Sequence, residues 1–169
     1  MTKHPLVCDT TLLLYLGRIG QAQLLPALFE PVCVPEPVAS ELDMGRLMRR
    51  DTINPRGLDW ASLVPVSQRD MDSLPPNRLG VGERAVIAYV RSHPGYSAGL
   101  DDRQARLLAE IMGLTVVGTI SVLLRAKEAD LIPTVRSLLD AVQSEGFRLG
   151  IDLYQATLRL AGEGGGGEK

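Results

Sequence analysis

Short apolar runs alternate along the chain with longer amphipathic stretches. Val- and Leu-rich runs stand at residues 6–8, 32–34, 96–100 and 115–117, lengths that suit strands. Apolar positions three and four apart predict helices over residues 12–16, 37–49, 82–92, 103–112, 122–129, 135–144 and 151–160. This alternation suggests an α/β fold, a parallel sheet with helices on its faces. Leu63-Val64-Pro65-Val66 is a fifth candidate strand, and its proline confines it to a sheet edge.

Several boundaries have local causes. Pro37 and Pro133 suit helix starts, and Gly113 suits the residue just past a helix end. Residues 46–59, with Arg49, Arg50, Asn54, Pro55, Arg56 and Gly57, read as a surface loop or mobile hairpin, the kind of segment that carries binding residues. Residues 70–79, with Pro75, Pro76 and Asn77, read as a second connector. Residues 1–161 form one expected domain, and the Gly-rich stretch 162–169 has nothing to bury and is expected to be disordered.

Composition narrows the class. At 169 residues, 45% hydrophobic and 22% charged, the chain suits one domain that folds without a disulfide or metal staple. Cys8 and Cys33 each sit inside an apolar run and read as small buried hydrophobes. Eighteen basic against 20 acidic residues give net charge −2, which argues against a surface coated in positive charge for indiscriminate nucleic-acid binding. No apolar run approaches the roughly 18 residues that span a bilayer, and Asp9 interrupts the stretch where a signal peptide would be unbroken. A cytoplasmic protein with no membrane partner is the expectation.

The candidate chemistry lies in carboxylates. Asp9 follows the first strand, and Asp101 and Asp102 follow the fourth, positions that line the ligand crevice of open α/β sheets. An ordinary helix N-cap is the alternative reading of each aspartate. Glu41 and Glu83 stand on predicted helices among apolar neighbours, where an acid is costly unless paired or bound to a cation. A solvated helix face, or for Glu83 a helix start, is the alternative there. Acids converging on one crevice would raise one another's pKa unless a cation neutralised them. All the donors are oxygens, which selects Mg²⁺ or Mn²⁺ over zinc, and such clusters serve phosphoryl chemistry. Gly118-Thr119-Ile120-Ser121 follows the last strand on the same rim, where Thr119 could hold a water or a phosphate.

Asp9-Thr10-Thr11, Ser40-Glu41-Leu42, Gly82-Glu83, Asp101-Asp102-Arg103 and Gly118-Thr119, followed by Leu123-Leu124-Arg125-Ala126-Lys127, resemble the ordered motifs of the PIN domain, and more narrowly of VapC-like prokaryotic proteins. The likeness continues through Ile132-Pro133, Gly146-Phe147-Arg148 and Ala161-Gly162-Glu163, nearly the whole chain. The resemblance implies a three-layer αβα fold with a central parallel sheet. It implies a metal-dependent ribonuclease that leaves a 5′-phosphate, with Asp9, Glu41, Glu83 and Asp102 as metal ligands, Asp101 as a possible fifth acid and Thr119 in support. Asp102 is preferred to Asp101 because Asp102-Arg103-Gln104-Ala105-Arg106 matches the family's helix start. It further implies a toxin with a small antitoxin partner and a homodimer. The chain departs from the pattern at Ala85, where subgroup members carry a second glutamate, and in the weakly apolar fourth strand.

RNA phosphates have candidate contacts in Arg46, Arg49, Arg50, Arg56 and Arg103, with surface solubility as the alternative for each. Two Phe, four Tyr and one Trp offer no evident stacking platform. A haloacid-dehalogenase-type phosphatase would need an aspartate where Thr11 stands. A receiver domain would carry its paired acids after the first strand. Gly80-Val81-Gly82-Glu83-Arg84-Ala85 fits a dinucleotide fingerprint only formally, because Pro75, Pro76 and Asn77 precede it in place of a strand. The competing reading is a PIN-fold module with weak or no turnover that acts through protein contacts, with Leu47, Met48, Trp60 and Met71 as a partner surface or as core.

Overall fold

A computed structural model describes residues 2–165. The chain runs β1 (His4–Cys8), α1 (Thr10–Arg18), α2 (Leu24–Leu28), β2 (Phe29–Pro35), α3 (Glu36–Met48), β3 (Ala61–Val64), α4 (Gln68–Asp72), α5 (Val81–Ser92), β4 (Ser97–Gly99), α6 (Arg103–Ile111), β5 (Val116–Val117), α7 (Thr119–Glu128), α8 (Arg136–Ser144) and α9 (Ile151–Leu160). The strands form one five-stranded sheet in the order β3-β2-β1-β4-β5. Every pairing is parallel. Helices flank it in three layers, as the α/β reading requires.

In a parallel sheet the crossover helices cover both faces, so its central strands read as continuous apolar runs. Leu6, Val7 and Cys8 are all fully buried, as are Val34 and Ala98. The proline-bearing segment supplies the edge strand β3, which stops at Val64, one residue before Pro65. β4 is weakly apolar for a packing reason. A Cβ at Gly99 would stand 2.7 Å from Leu12 Cδ2 and 3.0 Å from the Val7 carbonyl oxygen, so only glycine lets α1 close onto the strand.

The strand order places a topological switch between β1 and β4. The chain leaves β1 for β2 on one side and later returns to β4 on the other, so the carboxyl ends of these two neighbours face a crevice that no connection covers. Cys8 pairs with Gly99 in register, and the Asp9 amide donates to the Gly99 carbonyl at 3.0 Å. Asp9 and Asp101 therefore leave adjacent strand ends.

The structure corrects three local expectations. Helices α2 and α4 lie where none was predicted, because five residues are too few to show a helical period. α4 is capped by Ser67, whose Oγ accepts the Asp70 amide at 3.1 Å, and it buries Met71. The segment 46–59 is not a free hairpin. Its start completes α3, Thr52 and Pro55 are buried, Pro55–Gly57 is a 3₁₀ turn, and Arg56 pairs with Asp43 and Glu36. The expected tail begins too early at Gly162. Gly162 takes a left-handed φ of 75°, a conformation glycine tolerates, and brings Glu163 back onto the start of α8. Glu163 accepts the Val135 amide at 2.7 Å and the Arg136 amide at 3.2 Å, and pairs with Lys127. The remainder of that expectation, residues 166–169, lies outside the described residues.

Candidate active site

Asp9 occupies the N-cap position of α1 and makes no capping hydrogen bond with its side chain. It is 2% exposed, and its Oδ1 is buried without a hydrogen-bond partner. The N-cap explanation therefore fails for this residue. Burial foremost, with repulsion from Glu83, Glu41 and Asp101, pushes its carboxyl up to about 8, and the Thr10 backbone N–H offsets part of the rise.

The other acids reach the same end of the sheet from four elements. Glu41 on α3 bridges two neighbours: its Oε2 accepts the Thr10 hydroxyl at 2.6 Å and its Oε1 accepts the Gly82 amide at 2.8 Å. A Cβ at residue 82 would stand 2.7 Å from that Oε1, so glycine is what admits the glutamate. Glu83, in the first turn of α5, accepts the Gly80 amide at 3.3 Å. Burial raises its pKa, and the charges of Asp102 and Glu41 add to the rise. Asp101 accepts both the Thr119 amide, at 2.8 Å, and the Thr119 hydroxyl, at 2.7 Å, which ties the end of β4 to the start of α7. Burial raises its pKa too, while Thr119 and Arg106 oppose the rise.

Asp102 does cap its helix, accepting the Ala105 amide at 2.9 Å with Oδ2. Oδ1 keeps its acceptor capacity, whereas both oxygens of Asp101 are held by Thr119. The two aspartates thus differ in freedom. The Thr119 hydroxyl donates to Asp101 Oδ2 at 2.7 Å and so positions that acid.

The basic candidates separate as clearly. Arg46 pairs with Asp43 and donates to the Ile53 carbonyl, Arg49 pairs with Asp51 and Glu145, and Arg56 pairs with Asp43 and Glu36. Arg50 and Arg103 are exposed, and neither makes an ion pair among the described residues. Leu47 and Met48 are exposed, while Met71 is core and Trp60 packs against the core. Thr10 and Gly82, which fix Glu41, were not singled out as site residues. Their place beside Asp9 and Glu83 in the motifs was the available signal.

A family model described as PIN domain matches residues 5–163. The chain belongs to the PIN-domain family. PIN domains are in general nucleases, hydrolases of phosphodiester bonds, and usually employ divalent metals. A solved structure of the PIN domain endonuclease Utp24 is similar at 14% identity and a TM-score of 0.46, over 68% of this chain and 84% of that one. No curated protein matches the chain.

The PIN donor set fits a hard divalent cation in its chemistry: oxygen donors only, with an orphaned buried carboxylate oxygen on Asp9. It is not drawn together around a point. Among the described residues no three acidic, His or Cys side chains are grouped closely enough to hold an ion. No helix among the described residues is long and apolar enough to cross a membrane.

Proposed function

We propose that this PIN-domain chain is a metal-dependent endoribonuclease that hydrolyses RNA phosphodiester bonds with Mg²⁺ or Mn²⁺ and leaves a 5′-phosphate. The observation that carries the reading is Asp9: a carboxylate buried at the switch point, one oxygen unpartnered, crowded by acids from three other elements. A buried acid in that state lowers the stability of the fold, and a bound cation would relieve it.

Asp9, Glu41, Glu83 and Asp102 would hold the cation, with Asp101 beside them. A bound divalent cation supplies a more acidic water and neutralises charge on the scissile phosphate. The chain's own residues fix the geometry. Thr10 and Gly82 orient Glu41, Gly80 restrains Glu83, and Thr119 holds Asp101 at the floor of the crevice. In this reading Arg103, one residue beyond Asp102, is the nearest candidate in sequence for a phosphate contact.

The role of toxin in a toxin-antitoxin pair, with a small antitoxin over the acidic crevice and a homodimer as the working unit, belongs to the same proposal and is supported by the motif resemblance. A specific observation favours the second reading, a PIN-fold module with little turnover: the acids are not grouped for an ion as they stand. Cleavage of a labelled RNA in Mn²⁺ by the wild-type chain and by Asp9→Asn separates the two. The nuclease reading expects metal-dependent cutting reduced by orders of magnitude in the variant. Equal cutting by both proteins, or none by either, rejects it.

A further inference from the structure

Asp101 is shared between the acid cluster and a pocket bounded by α6, α7 and the chain leading into α9. Arg106, Ser121, Leu124, Phe147 and Arg148 line the pocket with it. Gly118 opens its floor. A Cβ there would stand 3.0 Å from Asp101 Oδ1 and 3.5 Å from Arg106 Nη1, so the carboxylate and the guanidinium both border the space that a side chain would fill.

The two arginines differ from Arg46, Arg49 and Arg56, which are paired. Neither Arg106 nor Arg148 makes an ion pair among the described residues, although each stands in a chain with an excess of acids. An unpaired guanidinium presents a planar fork of donors that matches a phosphate. The lining also includes the apolar Ile120, Leu124, Phe147 and Leu153. Phe147 is braced by Tyr15 at a centroid distance of 5.2 Å, nearly perpendicular at 85°, and Leu124 lies beside it. Two cationic forks and an aromatic ring lining one recess are the donor set for a nucleotide, which carries both a phosphate and a base.

We propose that this pocket binds a nucleotide of single-stranded RNA next to the bond being cut, its phosphate on Arg106 and Arg148 and its base against Phe147 and Leu124. The chain must be single-stranded because a paired and stacked base has no free face for Phe147. The position next to the scissile bond follows from Asp101, which serves both the acids and the pocket. The substrate assignment rests on the nuclease reading, and its test is arranged so that the two fail separately.

The test measures binding of a fluorescein-labelled ten-nucleotide RNA by anisotropy, with Asp9→Asn as the parent so that bound RNA stays intact, across a series of KCl concentrations. Arg148→Ala should weaken binding at least about fivefold and reduce the slope of log K against log salt by about 0.7, the loss of one single-strand phosphate contact. Phe147→Leu should weaken binding several-fold and leave that slope unchanged, because a base contact releases no counterion. Arg148→Lys should recover part of the loss, and circular dichroism melts keep misfolded variants out of the comparison. Binding equal to the parent in both Arg148→Ala and Phe147→Leu overturns the subsite. So does Arg148-dependent binding of a hexaglutamate peptide with RNA binding unchanged, which would mark an acidic-peptide pocket. RNA binding that depends on both residues, alongside a wild-type chain that does not cut RNA, supports the subsite and rejects the nuclease reading.

Discussion

Asp9 concentrates the electrostatic tension of the site in one side chain. Its carboxyl titrates at about 8 in the folded chain against an ordinary 3.8, raised by burial first and by neighbouring acids second. The folded chain therefore binds that proton more tightly than the unfolded chain does. The resulting stabilisation is fully present below about pH 4 and is lost as pH rises through about 8. In EDTA the melting temperature of the wild-type chain is expected to fall between pH 5 and pH 9. Asp9→Asn cannot ionise and should lose less over that range, ending above the wild type at pH 9 by at least about 4 °C. Superimposable pH profiles would remove Asp9 as the source of the tension. Glu83 and Asp101, also raised, act in the same direction.

Between elements, two contacts do more than local capping. Glu41 links α3 to α1 through Thr10 and to α5 through Gly82, so the helices that deliver the acids are joined by an acid. Gly82→Ala places a Cβ 2.7 Å from Glu41 Oε1 and forces one of them to move. The expected cost is about 1–3 kcal/mol of stability, with RNA cleavage falling about 100-fold as the acids shift. Activity retained in full at reduced stability would confine Glu41 to a structural role. At the other end of the molecule, Glu163 satisfies two of the amides that α8 leaves unpaired at its start. Glu163→Ala should destabilise the chain by about 1–2 kcal/mol in urea melts, without altering the dependence of stability on Mn²⁺. Its pKa is held below the ordinary 4.5 by the Val135 and Arg136 amides and Lys127 against the opposing effect of burial, so its contribution is present above that value and lost as pH falls through the lower folded one.

For the whole molecule, charge is arranged rather than merely counted. Asp9, Glu41, Glu83, Asp101 and Asp102 are five of the 20 acids, and the rest of the chain carries 18 basic against 15 acidic residues. With those five set aside, an overall slightly acidic protein has a mildly basic remainder. Mn²⁺ bound only by the folded chain should raise the melting temperature, by the equivalent of about 2.7 kcal/mol at 100 times its dissociation constant. Asp9→Asn should show a much smaller rise, and an unmoved wild-type melt in millimolar Mn²⁺ would favour the module without turnover. The α/β class, the edge position of β3 and the placement of the acids just past strands or on helices were legible in the sequence, because each depends on local pattern: apolar runs, a proline, a carboxylate after a strand or within a helical period. Three matters were decided by tertiary structure alone. Asp9 carries the unpartnered oxygen while Asp102 is a true cap. Arg46, Arg49 and Arg56 are paired, and Arg106 and Arg148, from α6 and the turn before α9, line one pocket. The reason is physical. Pattern along the chain fixes which backbone conformation a residue adopts and which face it presents, whereas the partner of a charge depends on distances between segments as far apart as Arg49 and Glu145, which only the folded packing sets.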